Sequence, residues 1–144
     1  MSARVSSKLY SPELLGLATG LADFPLTSDL PLRAEERSRT CGSVIALGLA
    51  IDDDGLVSAV GINISACAIG QASAAVMAQA IRGDNPGHVR LTATGLERWL
   101  AGEGELPLWP SIAALTPARD HPGRHGALLL PWKAASAALS QAAS

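Results

Sequence analysis

The fold of this chain is decided by residues 43–64, which read SVIALGLAIDDDGLVSAVGINI. From 44 to 51, bulky aliphatic residues occupy the odd-numbered positions and smaller residues the even-numbered ones, which is the period-2 pattern of a strand. Residues 52–55, three aspartates and a glycine, supply turn chemistry, and the alternation resumes over 56–64. The segment therefore predicts an antiparallel β-hairpin with one bulky face and one small face.

The elements on either side of this hairpin are predicted from apolar spacing, proline and glycine. Before it we expect a short helix over 11–18 and an edge strand over 30–34. After it, apolar residues at helical spacing predict a helix that ends near Gly83, followed by helices over 91–101, 110–115 and 122–138. His88 is predicted in a loop. Strands precede most of the helices, so the fold class is α+β: a small antiparallel sheet of about three strands followed by packed helices.

Length and composition indicate one domain spanning residues 1–144. The hydrophobic fraction is 48% but the aromatic fraction only 3%, which predicts a core of aliphatic side chains and small-residue contacts. The three tryptophans, Trp99, Trp109 and Trp132, are expected as core or interface anchors. The Ala/Ser-rich end, 134–144, is predicted to fray.

Charge and motif content exclude several classes of function. The net charge is -2 and basic residues are scattered singly, which argues against nucleic acid as a partner. No secretory signal or membrane segment is indicated, so a cytoplasmic location is expected. There is no Gly-rich phosphate loop, no His-Glu-x-x-His pair and no nucleophile elbow, and the sequence therefore does not indicate an enzyme.

The two cysteines, Cys41 and Cys67, flank the hairpin. Because a hairpin returns the chain to the end of the sheet where it began, the two residues are expected to be neighbours in space. Ser65 is predicted as the N-cap of the following helix, which would place Cys67 in the first turn, where backbone N–H groups favour a thiolate. In a reducing compartment the thiols stay unpaired. An inert role for either cysteine as a small core residue remains an alternative.

Two stretches resemble the U-type iron-sulfur scaffold family, which includes the N-terminal domain of the nitrogen-fixation scaffold NifU. They are residues 40–55, TCGSVIALGLAIDDDG, and residues 66–77, ACAIGQASAAVM. The resemblance extends more weakly to the helix near Tyr10 and to residues 124–134, RHGALLLPWKA, so it covers nearly the whole chain.

The resemblance implies a function. Members of the family assemble a [2Fe-2S] cluster with sulfur from a cysteine desulfurase and pass it to recipient apo-proteins, and some bind zinc in the same pocket. For this chain it implies iron or a [2Fe-2S] cluster as cargo, with zinc as a further candidate. A homodimer that shares one cluster between two chains is also compatible with it. A metal-free interaction module of the assembly machinery is the alternative from a different class.

The resemblance also assigns site residues. Cys41 and Cys67 match the first two cysteines of the family site, whereas Ser43 stands at the aspartate position and Ala127 at the third cysteine position. His125, two residues before Ala127, is a candidate to replace the missing ligand, since neutral imidazole binds zinc and iron. Ser43 is a weaker candidate because its hydroxyl stays protonated near neutral pH.

Overall fold

A computed structural model describes residues 10–39 and 42–143. Within those ranges the chain forms three strands, β1 Leu32–Arg37, β2 Val44–Ile51 and β3 Val57–Ser65. It also forms four α-helices, α1 Pro12–Thr19, α2 Ala68–Ile81, α3 Pro86–Leu100 and α4 His125–Ala143. Three 3-10 helices complete the described part, at Gly20–Asp23, Ile112–Asp120 and Pro122–Arg124. The prediction of an α+β fold with a small antiparallel sheet is confirmed.

The three strands form one antiparallel sheet in the order β1-β2-β3. The predicted hairpin is β2-β3, and its strand bounds lie within one residue of those expected from the alternation. The predicted edge strand at 30–34 is wrong in position, because pairing with β2 runs from Leu32 to Arg37. Three of its four charged residues, Arg33, Glu35 and Arg37, lie on the exposed face of this edge strand, and Glu36 takes an apolar position on the other face, so the apolar pattern that marks β2 is weaker there.

The helices differ from their predicted bounds mainly at their starts. Ser11 caps α1, and its Oγ accepts a hydrogen bond of 3.2 Å from the amide of Leu14. Helix α3 begins at Pro86, five residues earlier than predicted, because Asn85 is an N-cap that accepts from the amide of His88 at 2.8 Å. His88 therefore lies in the first turn of α3, and its prediction as a loop residue is wrong.

The last two predicted helices contain 3-10 segments. The helix expected over 110–115 is the 3-10 helix Ile112–Asp120, which includes a proline, and α4 begins only after the 3-10 turn Pro122–Arg124. Helix α4 extends to Ala143, and Leu139 near its end is 1% exposed. The fraying predicted for 134–144 stays a prediction.

The bulky face of the sheet packs against α4, which in turn contacts α2 and α3. The core contains Leu47 and Leu49 of β2 together with Met77 of α2. All three tryptophans are buried, as expected of core anchors. None of the helices within the described residues has the length and apolar character needed to cross a bilayer.

The small face of the sheet is covered only in its middle, by the loop over residues 24–30. Gly48 pairs with Gly61 across β2 and β3, and a β-carbon on Gly61 would lie 2.6 Å from the carbonyl oxygen of Pro25. The amide of Ile62 donates to the carbonyl of Phe24 at 2.8 Å. The two paired glycines therefore let the loop lie directly on the sheet.

Candidate functional site

The chain enters β2 and leaves β3 at the same end of the sheet, where Val44 pairs with Ser65. Residues 38 to 43 join β1 to β2 at that end. The amide of Ser38 donates to the carbonyl of Ser43 at 2.8 Å, and the amide of Gly42 donates to the carbonyl of Ser38 at 3.1 Å. Cys41 belongs to this loop but lies outside the described residues, so its predicted proximity to Cys67 stays a prediction.

Cys67 is the N-cap residue of α2, with φ −65° and ψ 172°. Its carbonyl accepts from the amide of Gln71 at 3.0 Å, its thiol makes no capping hydrogen bond, and its side chain is partly exposed and not in a disulfide. The prediction of Ser65 as N-cap is wrong, because pairing with Val44 keeps Ser65 in β3. The thiol therefore stands at the start of the helix, beside the first amides, which have no partner within the helix.

Ala127, the position assigned to the third cysteine, faces the first turn of the same helix. A β-carbon on Gly70 would lie 3.3 Å from the β-carbon of Ala127 and 3.3 Å from its carbonyl oxygen. Ala127 is fully buried. The first turns of α2 and α4 are thus in contact next to Cys67, where a longer side chain at 127 would enter the space between them.

His125 is the first residue of α4, and its Nε2 lies 2.8 Å from the carbonyl oxygen of Arg119 and 3.1 Å from that of Ala118. Two carbonyl acceptors require a proton on Nε2, so Nε2 is the donor, and in the neutral imidazole Nδ1 would carry the lone pair. The side chain joins the end of a 3-10 helix to the start of α4. A ligand role for His125, which stays a prediction, would use Nδ1.

Ser43 is 4% exposed and lies at the base of the β1-β2 loop. In the part of the chain that the structure describes, no three or more His, Cys, Asp or Glu residues are grouped so that they could hold a metal ion. The thiol of Cys41 lies outside that part. The sequence holds only two cysteines, whereas a [2Fe-2S] cluster takes four protein ligands. One chain therefore supplies at most half of the sulfur ligands.

The sequence analysis did not predict a buried polar contact that lies behind the site. Ser73 Oγ donates to the carbonyl of Leu128 at 2.6 Å and accepts from Nε1 of Trp132 at 2.9 Å, which connects α2 to α4. The available signal was a serine in the middle of a helix whose other central residues are small and apolar. A buried hydroxyl in such a setting needs a partner, and the only polar group of a tryptophan is its N–H donor.

The sheet, the helices against its bulky face and the cysteine at the N-cap of α2 together have the fold of the U-type scaffold proteins, and the resemblance noted in the sequence is confirmed. The chain is similar to the N-terminal part of a nitrogen-fixing NifU-like protein from Brucella abortus, with 27% identity and a TM-score of 0.88 over 95% of this chain and 96% of that chain. It is also similar in fold to a candidate iron-sulfur cluster assembly scaffold protein for the SUF system from Fervidobacterium islandicum AW-1, with 24% identity and a TM-score of 0.83 over 93% of this chain and 98% of that chain. No protein-family model matches the sequence, and a search of curated proteins found no match.

Proposed function

We propose that this protein is an iron-sulfur cluster assembly scaffold, a carrier and not an enzyme, which holds iron or a [2Fe-2S] cluster through Cys41 and Cys67. The observation that carries the proposal is the position of Cys67, a partly exposed thiol at the N-cap of α2 in a fold shared with a NifU-like protein. Cluster iron binds thiolates, and the unpaired amides and dipole at a helix N-terminus favour that form of sulfur.

The ligands other than Cys41 and Cys67 determine how the iron or the cluster is held. Two chains with two thiols each would supply the four sulfurs of a [2Fe-2S] cluster, so a homodimer around one cluster is part of the proposal. Nδ1 of His125 is the alternative within one chain, and it also suits zinc. By analogy with the scaffold class, a cysteine desulfurase supplies the sulfur, recipient apo-proteins take the cluster, and the protein works in the cytoplasm.

Anaerobic reconstitution with iron and sulfide tests the proposal. The wild-type protein should develop the visible charge-transfer absorption of a cluster, and Cys41→Ser and Cys67→Ser should each lose it. Ala68→Ser is the matched control, because it adds a hydroxyl beside Cys67 and keeps both thiols, so its absorption should equal that of the wild type. A wild-type protein that develops no such absorption would contradict the scaffold function.

The second candidate is an interaction module without metal, which the buried alanine at position 127 favours. A pull-down with a cysteine desulfurase separates the two functions when both cysteines are replaced by serine. Undiminished binding, together with no metal in protein purified without oxygen, would select the module. Elemental analysis of the same protein separates iron with matching sulfide from zinc.

A further inference from the structure

Proline interrupts the backbone hydrogen bonding of α4 close to the candidate site. Pro131 lies inside the helix and has no amide hydrogen, so the carbonyl of Ala127, four residues earlier, cannot accept the usual helix bond. A β-carbon on Gly70 would lie 3.3 Å from that carbonyl oxygen, so the carbonyl lies against α2. We call residues 125–128 the entry turn of α4. Its bonding to the rest of α4 is incomplete, and contacts from outside the helix therefore have a larger share in fixing its position.

Ser73 supplies such a contact from α2. Its Oγ donates to the carbonyl of Leu128, the last residue of the entry turn, at 2.6 Å and accepts from Nε1 of Trp132 at 2.9 Å. Ser73 and Trp132 are both fully buried, so water does not compete for these bonds. An indole N–H can only donate, so it takes a lone pair of Ser73 and leaves the hydroxyl proton for Leu128. The hydroxyl of Ser73 therefore fastens the entry turn to α2.

Further contacts hold the indole of Trp132 in place. Trp109 meets it edge to face, with ring centroids 5.0 Å apart and an interplanar angle of 84°. Nε1 of Trp109 donates to the carbonyl of Val76 on α2 at 2.8 Å. Both indoles are thus tied to α2, which fixes the position of the N–H donor that Ser73 accepts from.

The contacts between α2 and the entry turn follow the same order along both helices. Gly70 faces Ala127. Three residues further along α2, Ser73 bonds to Leu128. Cys67 is three residues before Gly70, and residues three apart are neighbours on one side of a helix. The part of the entry turn that precedes Ala127 therefore lies toward Cys67.

Resting on the scaffold function proposed above, we propose that Ser73 is a positioning residue of the cluster site, which holds the entry turn of α4 at the distance from Cys67 that the binding of iron or a cluster requires. Ser73 is buried and acts through the entry turn, which carries His125 as a candidate ligand and Ala127 as the small residue that borders the site. Without the hydroxyl, the entry turn loses a bond to α2 and shifts relative to the thiol of Cys67.

The placement of the entry turn can be measured without a cluster. In a Cys41→Ser/Ala127→Cys protein, the two thiols are those at positions 67 and 127, and the equilibrium of their disulfide in a buffer of reduced and oxidised glutathione gives their effective concentration. Ser73→Ala in this background should lower the effective concentration about fivefold, the factor expected when a hydrogen bond of ordinary net strength no longer holds the turn. An unchanged value, or no disulfide in the background protein itself, would overturn the proposal.

Trp132→Phe is the matched control, because it removes the N–H donor but keeps an aromatic ring and the hydroxyl of Ser73. It should lose stability in urea, since its side chain is smaller and a buried hydrogen bond is gone, whereas its effective concentration should equal that of the background protein. Equal falls of the effective concentration in Ser73→Ala and Trp132→Phe would indicate a general loosening of the core and would overturn the positioning role.

Cluster retention separates this proposal from the scaffold function. After reconstitution with iron and sulfide, Ser73→Ala should lose its visible absorption to a chelator about fivefold faster than the wild type, whereas Trp132→Phe should lose it at the wild-type rate. Equal rates for Ser73→Ala and the wild type overturn the positioning role and leave the scaffold function standing. No cluster in any of the three proteins overturns the scaffold function, while the disulfide measurement still decides whether Ser73 places the entry turn.

Discussion

Gly70 and Ala127 bring the first turns of α2 and α4 into contact beside Cys67. A β-carbon on Gly70 would lie 2.8 Å from the β-carbon of Ala66 and 3.3 Å from that of Ala127, and Ala127 itself is fully buried. Glycine and alanine, the two smallest residues, therefore set the distance between the helices that border the site. A change at Gly70 tests the packing of the two helices, and a change at Ala127 tests the ligands of the site.

Gly70→Ala should destabilise the protein. The added methyl group overlaps Ala66, and overpacking typically costs about 1–3 kcal/mol, which exceeds the gain of about 1 kcal/mol from the better helix propensity of alanine. Urea unfolding measures the difference. Gly16→Ala is the matched control, because Gly16 is also helical and a β-carbon there meets nothing within 4 Å, so this variant should gain about 0.5–1 kcal/mol. A Gly70→Ala protein as stable as Gly16→Ala would show that the helices can move apart freely.

Ala127→Cys should increase the retention of a cluster. The new thiol would stand at the first turn of α2, where a third thiolate raises the number of sulfur ligands from two to three per chain. The apo-protein should lose about 1 kcal/mol of stability, because the sulfur is added to a buried position. The measurement is the half-life of the visible absorption in the presence of a chelator.

Ala127→Ser is the control for that change, since it adds an atom at the same place but no thiolate. Its absorption should decay at the wild-type rate, while its stability should fall as in the cysteine variant. If the serine and cysteine variants held the cluster for the same time, position 127 would not supply a ligand.

The hairpin could be predicted from the sequence because its signal is local. Alternation over 44–51 and 56–64 fixes which residues face the core, and one turn fixes which strands pair. The start of α2 could not be predicted in the same way. Whether Ser65 ends a strand or caps a helix depends on its pairing with Val44, which is a contact between residues distant in sequence.

In the candidate site, too, some features could be predicted from the sequence and others depend on contacts between distant residues. Cys67 could be assigned to one end of the sheet from topology alone, and the same assignment for Cys41 stays a prediction, whereas Ala127 could be placed near Cys67 only through the family resemblance. The contacts of His125 were not predictable, because its acceptors are carbonyl groups at the end of a 3-10 helix that contains Pro117.

Ser73→Ala should weaken the connection between α2 and α4. The change removes the acceptor for Nε1 of Trp132 and the donor to the carbonyl of Leu128, and an unsatisfied buried polar group costs about 1–3 kcal/mol. Urea unfolding gives the loss, and tryptophan fluorescence should change because the indole N–H loses its partner. Ser140→Ala, whose hydroxyl bonds only to the carbonyl of Ser136 on the exposed side of α4, should change stability by less than about 0.5 kcal/mol. Equal losses in the two variants would rule out a structural role for the buried hydroxyl.

Gln141→Ala should expose the edge of β1. The side chain of Gln141 accepts from the amide of Arg33 at 3.3 Å and donates to its carbonyl at 2.5 Å, so an amide of α4 takes the place of a neighbouring strand. Unpaired strand edges template the addition of further chains, and the variant should therefore aggregate faster on shaking and should exchange the Arg33 amide proton faster. Gln141→Glu can still accept from the amide but cannot donate to the carbonyl. Its rates of aggregation and of Arg33 amide exchange should lie between those of the wild type and of Gln141→Ala. An Arg33 amide that exchanges at the wild-type rate in Gln141→Ala would show that the edge is closed by other contacts.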